Sequence, residues 1–292
     1  MKSIDLARLL VEPGRKIHLP DIDSGATDGF ANKDEAKTTL CSDIERLSRL
    51  QDVFYANARH ALLIVFQGMD AAGKDGAIKH VMSGVNPQGV DVSSFKTPSN
   101  EELAHDYLWR TAKVLPARGR IGIFNRSYYE ELAVVRIHPA LLEREQLPRA
   151  SGSHVWKERF EDILAFERHL SRNGTVILKF FLHIGKEEQR KRLLARIDRP
   201  EKNWKMSLAD IRERTFWDAY QRAYSELLAH TSSEFAPWYV IPSDHKWFTR
   251  AAVANIIVAR LEALGLTYPE VSDERRAQLL AERAKLADGP DP

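Results

Sequence analysis

The sequence predicts an α/β protein: a parallel sheet sandwiched between two helical layers. Three observations carry this. Five short runs rich in apolar residues recur along the chain. Helical patterns separate them, as in repeated strand–helix–strand units. The first run ends in a glycine-rich turn that opens directly into a helix.

Residues 19–34 are polar and turn-rich and read as a surface lead-in. Residues 34–58 place Leu40, Ile44, Leu47, Leu50, Val53 and Phe54 at helical spacing, which predicts a helix. ALLIVFQG follows and ends at Gly68. Its unbroken apolar character predicts a strand buried on both faces. A helix is expected from Lys74 to about Met82. A second strand is expected at VDVSSF (90–95), then a helix over ELAHDYLWRTAKVL. Further strands are expected at RIGIF (120–124), TVILKFFLHI (175–184) and WYVIP (238–242). The pattern divides the chain into an N-terminal lead-in and packing helix (1–58), a core domain (59–268) with a basic lid at about 186–225, and a charged C-terminal tail (269–292). From Ser272 the tail reads as a helix that frays toward its end.

Composition narrows the function. Forty-three Lys and Arg oppose 41 Asp and Glu, so the net charge is +2 and does not mark a nucleic-acid binder. A single Cys, Cys41, excludes an internal disulfide and fits a reducing compartment. Asp5, Arg8 and Glu12 interrupt the apolar character that a signal peptide needs. No run approaches the length of a membrane span. The expectation is a cytoplasmic protein with no membrane or nucleic-acid partner. The histidines show no HExxH spacing and the chain has no CxxC, so a zinc site is not expected. The six tryptophans are expected to pack the core.

Chemistry concentrates in Gly68-Met-Asp70-Ala-Ala72-Gly73-Lys74, which fits GxxxxGK. Glycines let the backbone curl so that several N–H groups face one phosphate. The following helix adds the positive end of its dipole. Lys74 supplies a cation for the transferring phosphate. The phosphate-binding set is thus Gly68, Ala72, Gly73, Lys74, Asp75 and Gly76. Such a motif usually continues with a hydroxyl residue that ligates Mg²⁺. Here Asp75 and Gly76 follow instead. Carboxylates beside a phosphate repel it unless a cation lies between them. Asp70 is therefore expected to ligate Mg²⁺, a hard ion that takes one or two carboxylates plus phosphate oxygens. Asp75 either joins it or caps the helix.

The strand at 120–124 runs into Asn125-Arg126, where an open α/β sheet binds ligands. Asn125 offers a neutral oxygen to the metal or the nucleotide. Arg126 offers a fork to phosphate oxygens, and is expected to be catalytic with Asp70 and Lys74. Glu130 is expected to orient the nucleotide or assist the metal. Arg136 follows two apolar residues and is expected to turn toward phosphate. Residues 186–214 hold ten Lys or Arg against six acids. That local excess suits a lid closing on a polyanion, although a solvated helix face would show the same pattern. Pro200 should break it into a helix–turn–helix.

Five stretches together resemble the polyphosphate kinase 2 family, and look most like its class III branch. They are LLIVFQGMDAAGKDGAIKHVMSGVNPQGV, HDYLWR, IGIFNRSYYEELAVVRIHP, ILKFFLHIGKEEQRKRLLARIDRPEKNWKMS and APWYVIPSDHKWFTR. The resemblance covers about residues 30–265. It implies a thymidylate-kinase-like P-loop NTPase fold with a helical lid. It also implies transfer of a terminal phosphate from polyphosphate to nucleoside mono- and diphosphates with Mg²⁺ or Mn²⁺, and a homo-dimer or homo-tetramer. Family roles fall on Asp70, Lys74, Arg126 and, in the lid, Arg199. An ATP-dependent nucleoside monophosphate kinase is the main alternative, since it shares the loop, the strand-end Arg and the lid. A phosphate-binding regulatory module without chemistry is a third reading, against which intact Lys74 and Arg126 argue.

Overall fold

The computed structural model describes residues 4–27, 29–148, 154–204 and 206–289. Lys205 and the last three residues, both included in the expectations above, lie outside that range. In chain order the main elements are β1 (Leu10–Val11), α1 (Lys33–Asn57), β2 (Ala61–Gln67), α2 (Lys74–Val81), β3 (Val90–Ser94), β4 (Ile121–Asn125), α3 (Glu130–Ile137), α4 (His154–Arg172), β5 (Thr175–His183), α5 (Lys186–Ile197), α6 (Leu208–Glu213), α7 (Trp217–Thr231), β6 (Trp238–Pro242), α8 (Lys246–Glu262) and α9 (Asp273–Asp288).

The five expected strands and β1 form one six-stranded sheet, ordered β1-β6-β5-β2-β4-β3. Strands β2 to β6 run parallel, so their carboxyl ends share one edge. Every residue of β2 is buried, as a central strand covered on both faces requires. Helices α1, α2 and α8 pack together as one layer, and α3, α4 and α7 as the other. From β2 the chain builds outward through β3 and β4 on one side, then returns to add β5 and β6 on the other. The order of strands therefore reverses at β2, where such sheets open a crevice for ligand.

Two expectations are corrected. The sheet is not purely parallel: the N-terminal lead-in contributes β1, which pairs antiparallel with β6 through Leu10–Tyr239 and Val11–Trp238. A two-residue strand leaves no periodicity to read. The single helix expected over 102–115 is instead two short helices, Asn100–Leu103 and Trp109–Ala112. Between them Asp106 turns back to accept the Leu108 N–H at 2.9 Å, competing with a continuous helix. Pro200 does break the basic segment and opens the short helix Pro200–Asn203. Trp238 and Trp217 are buried as expected, but Trp204 is 78% exposed.

A buried ion pair braces the sheet behind the site. Lys179 in β5 is fully buried and donates to Glu167 (2.7 Å), Tyr129 Oη (2.8 Å) and the Thr231 carbonyl (2.7 Å). All three ammonium donors are used. Tyr128 and Tyr129 both donate to the same Glu167 oxygen at 2.8 Å. The network joins β5, α4, α7 and the turn after β4. Burial pushes Lys179 down to about 8, with Glu167 opposing. Lys179→Met alone should destabilise the fold by about 3–5 kcal/mol, because it strands the Glu167 charge. Adding Glu167→Leu should return much of that loss in urea unfolding; equal instability of the single and double variants would refute the account.

Candidate active site

Gly68 shows why the loop needs glycine. It sits at φ +144°, and a Cβ there would lie 2.7 Å from the Leu182 carbonyl oxygen of β5. Gly73 (φ +113°) is the residue preceding α2. The chain between them folds so tightly that Ala71 also takes a left-handed φ of +63°. Lys74 folds back over this turn, its Nζ 2.5 Å from the Gly68 carbonyl and 3.3 Å from that of Met69. It is buried, and burial, followed by the Arg126 charge, pushes it down to about 8.

The turn after β4 faces the loop. Arg126 is a non-glycine residue at φ +63°, a conformation costing on the order of 1–3 kcal/mol that persists where surrounding contacts enforce it. Its N–H is tied to the Phe66 carbonyl of β2 at 3.0 Å. Its guanidinium reaches Asp70 at 2.7 Å and Glu130 at 3.3 Å. The carboxylates of Glu130 and Asp70 hold Arg126 firmly in its charged form. Asn125 donates to Asp75 at 2.8 Å, fastening β4 to the first turn of α2.

The structure therefore brings Asp70, Lys74, Asp75, Asn125, Arg126 and Glu130 together. It answers the alternative left open for Asp75: Gly73 is the N-cap, and no side chain caps α2. Asp75 instead lies in the first turn, where its charge favours the helix dipole. Arg136 is not brought in. It lies six residues beyond Glu130 on α3, about 9 Å farther along the axis, and pairs with Glu226 of α7 at 2.6 Å. Arg199 is exposed at the lid turn, away from any ion pair with a described residue.

Sequence reasoning missed three supports. Arg192 of α5 donates to the carbonyls of Ala71 (3.1 Å) and Ala72 (3.0 Å), gripping the loop from behind. Gln189 donates to the Asp70 carbonyl at 3.0 Å. Arg196 pairs with Asp210 at 3.2 Å, linking α5 to α6 across the basic segment. The excess of basic residues marked this segment, but not which arginines turn inward.

Beside Arg126 lies a cleft of about 130 Å³, open to solvent. Its walls include Lys96, Arg110, Arg126, Glu130, Val134 and Arg144. It lies past the carboxyl ends of β3 and β4, with Arg126 and Glu130 shared between cleft and loop. Its walls mix charged and apolar side chains, with Lys96, Arg110, Arg126 and Arg144 supplying cations.

The family model described as Polyphosphate kinase 2 (PPK2) matches residues 30–267. The chain belongs to the polyphosphate kinase 2 family. Among relatives of this kinase family, an "ADP-polyphosphate phosphotransferase" of Rhodopseudomonas palustris is 51% identical over 286 residues, covering 97% of this chain and 99% of that one. An "AMP/ADP-polyphosphate phosphotransferase" of Meiothermus ruber is 45% identical, over 89% of this chain and 94% of that one. The crystal structure of polyphosphate kinase 2 from Arthrobacter aurescens superposes with a TM-score of 0.88 at 37% identity, covering 98% of both chains. The likeness spans both the sheet and the segments around the loop. No helix among the described residues is long and apolar enough to cross a membrane.

Proposed function

We propose that this chain transfers the terminal phosphate of polyphosphate to nucleoside mono- and diphosphates, AMP and ADP foremost, reversibly. The carrying observation is convergence at one switch point. Lys74 closes the glycine loop, Arg126 faces it across Asp70, and a cleft lined by further cations opens beside Arg126. The names of the Rhodopseudomonas and Meiothermus relatives support the choice of donor and acceptors.

In the reaction, an oxygen of the acceptor's phosphate attacks the terminal phosphorus of the chain. The bond from that phosphorus to its bridging oxygen breaks, and the electron pair stays on the shortened polyphosphate. An acceptor phosphate is already ionised near neutral pH, so no strong base is required. Lys74, Arg126 and the loop N–H groups position the donor and offset its charge. Glu130 holds Arg126 in place at the mouth of the acceptor cleft.

The donor set also fits Mg²⁺ or Mn²⁺. Asp70 presents a carboxylate at the loop mouth, with Asn125 and Asp75 adjoining. No group of three His, Cys, Asp or Glu among the described residues forms a closed metal cage. That combination suits a hard cation completed by phosphate oxygens rather than by protein alone. Bound there, the ion would neutralise charge on the phosphate oxygens. The basic segment, with Trp204 and Leu208 exposed on it, is the proposed lid. The homo-dimer or homo-tetramer implied by the family resemblance belongs to this proposal too.

The test is to incubate the protein with ADP, polyphosphate and Mg²⁺ in the absence of ATP. ATP should accumulate. No ATP there, together with ADP formed from AMP and ATP, would identify an ordinary nucleoside monophosphate kinase.

A further inference from the structure

Helix α7 lies against the phosphate loop. Its Gln221 donates through Nε2 to the Met69 sulfur at 3.4 Å. The same helix packs along α3, which begins at Glu130. Tyr220 and Tyr224 stand one turn apart on α7, their rings stacked with centroids 6.1 Å apart. Tyr220 donates its hydroxyl to Glu213 at 2.6 Å. Tyr224 is only 2% exposed, its ring centroid 4.7 Å from that of Phe181 in β5. Yet its hydroxyl makes no hydrogen bond to any described residue. A buried Tyr O–H ordinarily finds a partner. Tyr128 and Tyr129, buried as deeply, both donate to Glu167.

The surroundings of this hydroxyl say what it serves. The charges acting on the Tyr224 phenol are, in order, those of Glu130, Arg126 and Asp70. These three groups already meet, with Arg126 2.7 Å from Asp70 and 3.3 Å from Glu130. Burial, then the Glu130 charge, raises Tyr224 well above the usual phenol value. It therefore keeps its proton and remains a donor at neutral pH. A donor without an acceptor stands beside the groups that separate the loop from the acceptor cleft. The phosphoryl group crosses that boundary on its way from chain to acceptor. In transit its charge spreads over three equatorial oxygens. We propose that Tyr224 Oη donates a hydrogen bond to one of those oxygens, which makes Tyr224 a further catalytic residue. This rests on the phosphotransfer reading above. The hydroxyl donates without giving up its proton, so it adds stabilisation to the charge without changing the proton balance of the reaction.

Tyr224→Phe removes the hydroxyl and keeps the ring. Without a partner inside the protein the hydroxyl contributes little to the fold, so the melting temperature should hold or rise. With polyphosphate and ADP, kcat should fall at least about tenfold, somewhat less than the loss of a full oxyanion-hole donor. KM for both substrates should change little, because the bond strengthens in the transition state. The second measurement is binding of ADP with Mg²⁺ and aluminium fluoride, a planar stand-in for the phosphoryl group. Aluminium fluoride should tighten ADP binding to wild type. The variant should lose at least about tenfold of that gain, the scale of a hydrogen bond to a charged group. A kcat within twofold of wild type overturns the assignment. So does a kcat loss accompanied by a lower melting temperature, since a hydroxyl that only supports the fold would give that. If wild type forms no ATP from polyphosphate, the proposed function fails. Tyr224 is then judged by aluminium fluoride alone: a reduced gain in the variant supports its role, and an equal gain overturns it.

Discussion

Replacing Lys74 by alanine should lower turnover at least about 100-fold with polyphosphate and ADP, the scale expected for one preorganised electrostatic contact. The side chain is only 8% exposed, so its ammonium lacks most of the water that would stabilise it. Burial and the nearby Arg126 push its pKa down to about 8, against the pull of Asp70, Glu130 and Asp75. A cation held at that cost has its fullest partner in a bound phosphoanhydride. The ammonium reaches the loop carbonyls of Gly68 and Met69. The loss should fall mainly on kcat, because the negative charge that Lys74 meets grows in the transition state. Steady-state rates at saturating substrates give the measurement, and thermal unfolding confirms that the variant is folded. A rate within tenfold of wild type would remove Lys74 from the catalytic role.

The loop was legible because its constraint is local. A buried apolar strand, a glycine-rich turn and a helix start all fall within Ala61–Val81. The strand-end pair Asn125-Arg126 was legible for a similar reason, since a parallel sheet presents its carboxyl ends to ligand. What stayed hidden depends on contacts between distant segments. Lys179 sits inside an apolar run, and only the fold brings Glu167 and the Thr231 carbonyl to it. Arg136 looked like a phosphate ligand because two apolar residues precede it. Helix geometry instead carries it past the site to Glu226. Arg250 follows the last strand by a few residues, yet lies against the loop helix only because α8 folds back onto α2. The left-handed turn at Arg126 has no glycine to announce it; the Phe66 carbonyl enforces it from the adjacent strand.

Asp70→Ala should be as damaging as the Lys74 change, at least about 100-fold in turnover, but for a reason the structure makes divisible. Asp70 lies 2.7 Å from Arg126, so its loss could act by releasing that guanidinium rather than by removing a metal ligand. The two routes separate in a double-mutant cycle with Arg126→Ala. If Asp70 only positions Arg126, then Asp70→Ala adds nothing once Arg126 is gone. If Asp70 holds the divalent ion, the variant loses activity in both backgrounds, and the Mg²⁺ concentration for half-maximal rate rises in both. The second outcome is expected. Glu130 still engages Arg126 from the other side, so the guanidinium keeps one anchor without Asp70. The neighbouring carboxylates are otherwise engaged: Asp75 accepts from Asn125 and Asp210 pairs with Arg196. Near-normal rates for Asp70→Ala at saturating Mg²⁺ would end the metal assignment and leave Asp70 as a tether for Arg126.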